Sequence, residues 1–514
     1  MSIFKSKESI VETKVKKLNE TLESHNLSDS IETNTIAIKK LFENDDTLIT
    51  RSIVNNFDDN FKYCIVYCDG MVDPLIINEN IIKPLMLSNV NISQKTILDS
   101  LINQVILIND IKKISTIKEI IEEITYGNTV LFIENSNRAL SLNTKGFQTR
   151  GIEEPSSEKI LSGPREGFSE SLLINLSLIR RKLRTNELKM KYVNFGKKSN
   201  TQACVCYIDS IVNKKVLTEL YRRLDKIDID GVLDSNYIVE LIKDAPFSMF
   251  RTTGGSERPD TIVGKLLEGR IAVVVDGTPV VITLPYLFIE NFQNSEDYYL
   301  SHYYATFSRF LRFLGFVLTV FIPAFYIAIV AFHHEMLPTS LFINIAMERQ
   351  SVPLPAAVEA FVLLIMFDIL KETGVRMPSN IGQALSIVGA LVIGQAAVEA
   401  KLVAAPMIIV VASTGITSLL IPKVNTPVIF LRIAFLILAS FLGFYGLVLG
   451  IAVLIIHLVN LRSFGIPQIM ASGDVSYQNI KDKAIRAPWW DMILRPKLVT
   501  NNRKRMNSGD NNND

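Results

Sequence analysis

Hydrophobic and polar positions divide the chain at about residue 312. Before Arg312, charged residues interrupt every helical pattern, whereas Leu, Ile, Val, Ala, Phe and Gly dominate from Phe313 to Leu461. This second block contains apolar runs near the ~20 residues that cross a bilayer. These runs are Phe313–Phe332, Ile381–Val398, Leu402–Ile421 and Val428–Leu458. The pattern predicts an α/β soluble front half followed by an α-helical transmembrane domain with roughly 4–6 spans.

Two stretches leave the number of spans open. Val428–Leu458 is long for one crossing, and the break that Gly443–Gly446 offers would give either a tilted helix or a shallow hairpin. Pro353–Glu372 has the composition of a membrane helix but contains Glu359 and Asp368, and ionisable residues at membrane depth often mark functional sites. Four crossings result if Pro353–Glu372 does not cross and the long run crosses once. Six result if Pro353–Glu372 crosses and the long run is split.

Charge predicts the side on which the two ends of the chain lie. From Asn460 onward there are nine Lys and Arg against five Asp, and Arg309 and Arg312 precede the first span. Positively charged flanks favour the cytoplasmic side of a membrane. The N-terminal residues lack the apolar core of a signal peptide, so we expect both termini in the cytoplasm and an even number of spans.

The soluble half contains an internal repeat. Tyr63–Asp69 aligns with Ala203–Asp209 at an offset of 140, and Leu131–Leu142 aligns with Val273–Leu284 at an offset of 142. Two α/β lobes of like topology explain this pattern, although short β-runs can also resemble one another by chance. We predict a helical, mobile segment at 1–50, a first cytoplasmic lobe at 51–155, a connecting helix at 156–185, a second cytoplasmic lobe at 186–300, a transmembrane domain at 301–460, a partly amphipathic cytoplasmic tail at 461–500 and a disordered end at 501–514.

The predicted connecting helix has Ser169 as its candidate N-cap and a basic cluster near its end. The cluster consists of Arg180, Arg181, Lys182 and Arg184. Such a cluster can contact anionic lipid headgroups or a partner, or it can be a solvated helix end that the helix dipole favours.

Composition and motifs exclude several classes of function. The formal net charge of +2 argues against a dedicated nucleic-acid-binding protein. Cys64, Cys68, Cys204 and Cys206 lie within β-runs of the cytoplasmic half, where buried core thiols are expected rather than metal ligands or disulfides. The sequence contains no nucleophile elbow, kinase set, zinc-protease motif or dinucleotide fingerprint in its required context. We therefore expect no enzyme, no cofactor and no bound metal.

Several motifs taken in order resemble one known family. They are GPREGF at 163–168, SERPD at 256–260, LLEGRIAVVVDGTPVVI at 266–282, VPLPAAVEAF at 352–361, LKETGVRMP at 370–378 and IGQALSIVGALVIGQAAV at 381–398. Together they resemble the A subunit of GerA-type spore germinant receptors, over about residues 60–490. The resemblance implies a partnership with a transporter-like B subunit and a lipoprotein C subunit in the spore inner membrane. It also implies an oligomeric, nutrient-gated cation channel.

Two groups of residues are candidates for function. Arg165, Glu166, Glu257, Arg258 and Asp260 match the family motifs and are predicted to couple the lobes or subunits, with local turn and cap chemistry as the alternative.

The second group lies on Pro353–Glu372. Helical spacing aligns a carboxylate with apolar side chains, and we predict that this face lines a pore in a symmetric assembly. The candidate pore-lining residues are Glu359, Val362, Leu363, Met366 and Leu370. Glu359 could instead be a first-turn residue that the helix dipole stabilises. Asp368 is expected to pair with Lys371. The alternative functions are a secondary-transporter component and a passive scaffold for the other subunits.

Overall fold

The fold is that of a computed structural model of the chain. It describes residues 26–58, 61–88, 97–146, 158, 160, 162–376, 392, 394–469, 481–482, 485–496, 499–500, 502 and 504–505. The chain forms two compact units. The first comprises Met1–Lys243, Thr253–Pro285 and Leu494–Asp514, and the second comprises Asp244–Thr252 and Tyr286–Ile493.

The first lobe of the first unit is an antiparallel sheet with helices on both faces. Its strands are β1 (Leu48–Val54), β2 (Lys62–Cys68), β3 (Ile111–Ile114), β4 (Thr129–Ile133) and β5 (Ala139–Leu142), in the order β1-β2-β4-β5-β3. Its helices are α1 (Ile31–Leu41), α2 (residues 74–87), α3 (residues 97–105) and α4 (Ile117–Tyr126). Cys64 and Val66 of β2 pack with α1 and α4, whereas Tyr63 and Ile65 pack with α2 and α3. The two-residue period of a strand produces this division.

The second lobe repeats this topology. Its elements are α5 (Leu172–Lys182), β6 (Leu188–Phe195), β7 (Thr201–Ile208), α6 (Lys214–Leu224), α7 (Ser235–Ile242), β8 (Gly254–Ser256), α8 (Pro259–Leu267), β9 (Ile271–Val275) and β10 (Val281–Leu284). The strand order is β6-β7-β9-β10-β8, which matches the first lobe strand for strand. The predicted pair of similar α/β lobes is confirmed.

The repeat extends to the first helix of each lobe. Asn34 accepts the N–H of Ser28 and donates to its carbonyl oxygen, at 2.9 and 2.7 Å. Asn175 makes the same two hydrogen bonds with Ser169, at 2.8 and 2.6 Å. Helix α5, which was predicted to be a connector with Ser169 as its cap, therefore occupies in its lobe the place of α1. Its N-cap residue is Ser171.

Arg180 departs from the predicted exposed basic cluster. Its guanidinium lies 2.6 Å from the Asp45 carboxylate and 3.0 Å from the Thr47 hydroxyl, and both charged side chains are buried. Desolvating an ion is costly without such partners, so this pair holds the end of α5 against the segment between α1 and β1. The prediction of a solvated or lipid-facing position is wrong for Arg180.

The four cysteines lie in the cores of the lobes. All are free thiols with buried side chains, as expected from their place in the β-runs. Burial raises the pKa of the Cys68 thiol to about 11, although the nearby Arg180 guanidinium opposes the shift. A protonated, inaccessible thiol is a packing group and a poor nucleophile.

The end of the chain packs on the second lobe. Val499 is fully buried, and the Thr500 hydroxyl donates to the Ile211 carbonyl oxygen. Gly269 has a φ of +92°, and a Cβ there would lie 2.8 Å from the Cβ of Thr500, so the close approach depends on glycine. Arg495 adds a hydrogen bond of 2.8 Å to the Leu267 carbonyl oxygen.

The second unit is mainly helical. Its helices are α9 (His302–Phe332), α10 (Thr339–Gln350), α11 (Ala356–Arg376), α12 (Ala405–Leu419) and α13 (Asn425–Asn460), followed by the short strands β11 (Arg462–Ser463) and β12 (Ile466–Pro467). A buried ion network fixes the start of α9. Asp297 accepts from Arg309 and Arg312 at 2.9 Å each, and Arg309 also lies 3.1 Å from Asp482. Arg309 is thus a buried structural residue as well as a basic flank.

Among the residues that the structure describes, two segments are long and apolar enough to cross a membrane, namely His302–Phe332 and Pro422–Asn460. The predicted span Phe313–Phe332 lies within the first of them. Helix α12 has 15 residues and is shorter than the predicted Leu402–Ile421. Most of the predicted span Ile381–Val398 lies outside the described residues. The coarse prediction of a helical membrane domain holds, and its span number stays a prediction.

Helix α13 is a hairpin of two arms. Gly443 has φ 55° and ψ −135°, which no helix contains. A Cβ on Gly450 would lie 2.5 Å from the Phe435 ring, although these residues would be about 22 Å apart in a straight helix. The chain therefore reverses at Gly443, as one of the two alternatives for this run predicted. The length of Pro422–Asn460 is the sum of both arms.

Candidate functional site

An exposed apolar stripe follows α11 along its length. It recurs at helical spacing and consists of Val358, Phe361, Val362, Ile365, Met366 and Ile369. The opposite face of α11 packs in the interior of the unit. Ala356, Ala360 and Leu364 contact a cluster that includes Ile327 of α9 and Met407 of α12. The helix thus has one packed face and one apolar face that the described part of the chain leaves open.

The predicted pore-lining residues divide between these faces. Val362 and Met366 belong to the stripe, with 48% and 39% of their surface exposed. Leu363 and Leu370 are half-buried beside it, and Glu359 is 0% exposed. At ~100° per residue, the stripe is centred about a quarter turn from the predicted face. The predicted residues thus lie on a helix with an exposed apolar face, and tertiary packing sets the rotation of that helix.

Glu359 is a buried, satisfied carboxylate near the start of α11. One oxygen accepts the backbone N–H of Ala404 at 2.5 Å, and the other lies 3.3 Å from the Arg349 guanidinium of α10. A buried carboxylate with two such donors is stabilised where it lies. Its first-turn position agrees with the helix-dipole alternative, but its side chain also joins α10 and the residue before α12 to α11.

Asp368 does not pair with Lys371, which corrects the expectation from sequence. Its carboxylate lies 2.5 Å from the guanidinium of Arg432, on the first arm of α13. Lys371 instead donates to the side chains of Asn425 and Ser418, at 2.8 and 3.3 Å. The Asp368 side chain therefore bridges two helices and is not a local interfacial residue.

The two carboxylates flank the stripe. By helical geometry, Glu359 and Asp368 lie about 90° to either side of its centre. Each meets an arginine from a different helix, Arg349 of α10 and Arg432 of α13. Two charge-assisted bonds on opposite flanks resist rotation of α11 about its axis. The ring of Phe367 fits against Gly415 of α12 between them and closes the packed face.

A second polar site lies in the first unit, at the start of α8. Arg258 is fully buried, lies 2.9 Å from Asp260, and donates to the carbonyl oxygens of Pro164 and Glu158. The Glu158 carboxylate in turn accepts from the Ser256 hydroxyl at 2.5 Å. Arg258 thus fastens the segment that precedes α5 to the second lobe.

The other residues predicted to couple lobes or subunits are placed differently. Glu166 pairs with Lys182 and Arg181 at 2.9 and 3.6 Å. Arg165 is exposed and Glu257 is half-buried. The structure therefore brings Arg258 and Asp260 together, and places Glu166 against the end of α5.

Sequence reasoning missed the two arginines that face α11. Arg432 stands alone in the apolar run FLRIAF, and an isolated charge within a span is itself a sign of a buried partner. Arg349 carried no such sign, because it follows Glu348 in a polar segment between two apolar runs.

Comparisons with known proteins identify the family. Residues 36–498 match the family model described as Bacillus/Clostridium GerA spore germination protein. Spore germination protein KA of Bacillus subtilis is 40% identical over 476 residues, which cover 92% of this chain and 87% of that protein. The Bacillus subtilis protein named uncharacterized membrane protein YfkQ is 39% identical over 458 residues, covering 88% and 89% of the two chains.

A solved structure is also similar in sequence. It is the N-terminal domain of the A subunit of the Bacillus megaterium spore germinant receptor GerK3, which is 28% identical with a TM-score of 0.41, over 52% of this chain and 98% of that one. The family match spans both units of the chain, and spore germination protein KA aligns with it over 87% of its own length. The chain therefore belongs to the GerA family of spore germination proteins, as the A subunit of a germinant receptor.

Proposed function

We propose that this subunit forms an oligomeric, nutrient-gated cation channel that starts spore germination, and that α11 lines its pore. The exposed stripe of α11 carries the proposal. A ring of copies that turn this stripe toward a common axis would surround the axis with the side chains of Val362 and Met366. Narrow apolar constrictions exclude water and ions until they widen, so such a ring is a closed gate.

The flanking charges support a gate rather than a permanently open pore. Glu359 is paired with Arg349 and turned away from the stripe centre, so the resting pore wall is apolar. A carboxylate beside a pore mouth attracts cations when it is exposed to water. A small rotation of α11 would bring Glu359 closer to the axis and move the apolar side chains away.

The described helices support a membrane arrangement with six crossings. Lys371 at one end of α11 contacts Asn425, and Glu359 near the other end contacts Ala404. These contacts place the end of α11 and the start of α12 at opposite ends of the bundle, which supports the predicted span Ile381–Val398 between them. Counting the two arms of α13, we propose six crossings, with both termini in the cytoplasm and the chain in the spore inner membrane.

Membership of the family supports a proposal for the partners. We propose assembly with a transporter-like B subunit, a lipoprotein C subunit and further copies of this chain. The buried Arg258 site and the Glu166 ion pairs would transmit movement between the lobes and those partners. In this assignment the chain supplies the gate.

Reconstitution of the receptor tests the channel. The purified complex of the three subunits in liposomes should pass monovalent cations only with nutrient. Val362→Ala should raise flux without nutrient by about tenfold or more, because a smaller side chain widens the constriction and lets water enter. Val448→Ala, which truncates an exposed valine of α13, is the matched control.

Two other outcomes would overturn the assignment. Nutrient uptake without ion flux would indicate a transporter component, and neither uptake nor flux would indicate a scaffold. Unchanged gating in Val362→Ala, at wild-type protein levels, would remove α11 as the pore lining.

A further inference from the structure

The two ion pairs that hold helix α11 differ in the number of other hydrogen bonds that their carboxylates accept. At Glu359 the carboxylate also accepts a backbone N–H, so loss of Arg349 would leave one hydrogen bond in place. At Asp368 the Arg432 guanidinium is the closest basic group, at 2.5 Å. Rotation of α11 about the Glu359 end would therefore act first on the Asp368 pair.

Arg432 depends on Asp368 for its stability in this position. Its side chain is 1% exposed, and its Nε lacks an acceptor among the described residues. A buried guanidinium that loses its carboxylate is strongly destabilised, because neither lipid nor apolar side chains replace the lost interaction. The same charge is stable in contact with water. Separation of the pair is thus tied to the entry of water beside α11.

Neighbouring contacts make this flank a joint between three helices. Lys371, one turn beyond Asp368, donates to Asn425 at the start of α13 and to Ser418 of α12. Both contacts lie on the same side of α11 as Arg432. Movement of the α13 hairpin would therefore pull on α11 at the Asp368 side of the apolar stripe.

We propose that the Asp368–Arg432 ion pair is the latch of the gate. It holds α11 with its apolar stripe toward the pore axis, and it separates when α11 turns in response to nutrient. Wetting of the pore and separation of the pair stabilise each other, because the separated charges need water and the wet pore provides it. The proposal rests on the channel function given above.

Charge removal and charge exchange test the latch in the purified three-subunit complex in liposomes. Asp368→Asn keeps the shape and removes the charge, so flux without nutrient should rise by about tenfold or more. The double variant Asp368→Arg with Arg432→Asp restores a pair of reversed polarity and should return this flux toward the wild-type value. Glu335→Gln, at an exposed acidic residue of the same unit but outside α11, should not change it.

The outcomes separate the latch from the channel. Wild-type complex that passes no ions with nutrient refutes the channel and the latch together. Wild-type gating with unchanged flux in Asp368→Asn refutes the latch alone. If Asp368→Asn does not accumulate in the membrane, the double variant Asp368→Arg with Arg432→Asp provides the test. Restored accumulation with nutrient-dependent gating supports the latch, and restored accumulation with flux that ignores nutrient overturns it.

Discussion

Buried ions in both units occur where separate segments must be held together. Arg180 and Asp45 join α5 to the segment before β1, and Asp297 joins the start of α9 to Arg309 and Arg312. Such pairs add little net stability over apolar packing, but removal of one partner costs about 3–5 kcal/mol. Their effect is to specify one arrangement. In the gate that we propose, the same ionic contact at Asp368 and Arg432 acts as a switch as well as a brace.

Glu268 gives the docked end of the chain a dependence on pH. Burial alone would raise the pKa of this carboxyl, but Lys265, Arg270 and Arg505 lower it below its ordinary value of 4.5. The charged form is therefore favoured in the folded state, and its contribution to stability is complete above pH 4.5. That contribution is lost as pH falls through the lowered pKa.

We predict that acid releases the segment around Thr500 from the second lobe. Hydrogen exchange of the Val499 and Thr500 amides, measured by mass spectrometry on the solubilised receptor, should speed up as pH falls below 4.5, after correction for the intrinsic exchange rate. In Glu268→Gln, exchange should be fast throughout and lose this pH dependence. Identical pH profiles for the two proteins would show that Glu268 does not hold the segment.

At the scale of elements, the turn at Gly443 distinguishes a hairpin from a straight helix. Paired cysteines at Phe435 and Gly450 should be joined by a short thiol crosslinker, because the Phe435 ring lies against Gly450. Replacement of the ring also provides room for the new side chain. A straight helix would separate the two positions by about 22 Å. Cysteines at Phe435 and Val448 are the control, since Val448 is exposed. If the Phe435–Gly450 pair is crosslinked no more than this control, as detected by mass after digestion, the hairpin is contradicted.

The elements differ in how far their sequence determines them. Strand β4 (Thr129–Ile133) overlaps the start of the aligned β-run Leu131–Leu142, because a short β-branched run between turn residues has one good conformation. The apolar run of α13 predicted either a tilted helix or a hairpin, and only the contacts of Gly450 decide between them. The rotation of α11 was not predictable, because apolar residues occur around the whole helix and the side that remains exposed depends on α9, α10, α12 and α13.

For the whole molecule, duplication explains why the soluble half was the more predictable. Because the two lobes share one sequence pattern, each strand or helix predicted in one lobe can be checked against its counterpart in the other. The hydrogen-bonded pairs Ser28 with Asn34 and Ser169 with Asn175 extend the repeat beyond the aligned strands. The candidate site had no such repetition. Arg349 and Arg432 approach α11 from distant parts of the sequence, so their partners become visible only in the fold.

The membrane topology offers a test of the complete chain. Lys371 and Asn425 lie at one end of the helical bundle, and Glu359, Arg349 and Ala404 lie at the other. If six segments cross, residues near the tip of the α13 hairpin face the outside while both termini face the cytoplasm. A cysteine at Tyr445 should then react with a membrane-impermeant maleimide added outside right-side-out membrane vesicles.

A cysteine at Trp490 is the control for the opposite side. Its exposed side chain follows the last apolar segment and should be labelled only after the vesicles are opened. The four native thiols are buried in the lobes, so the unsubstituted protein supplies the background. Labelling of both cysteines from outside would indicate an odd number of crossings between a cytoplasmic N-terminus and residue 490. Protection of both would mean that the hairpin enters the membrane without reaching its outer surface, which would leave α11 to cross without the support of α13.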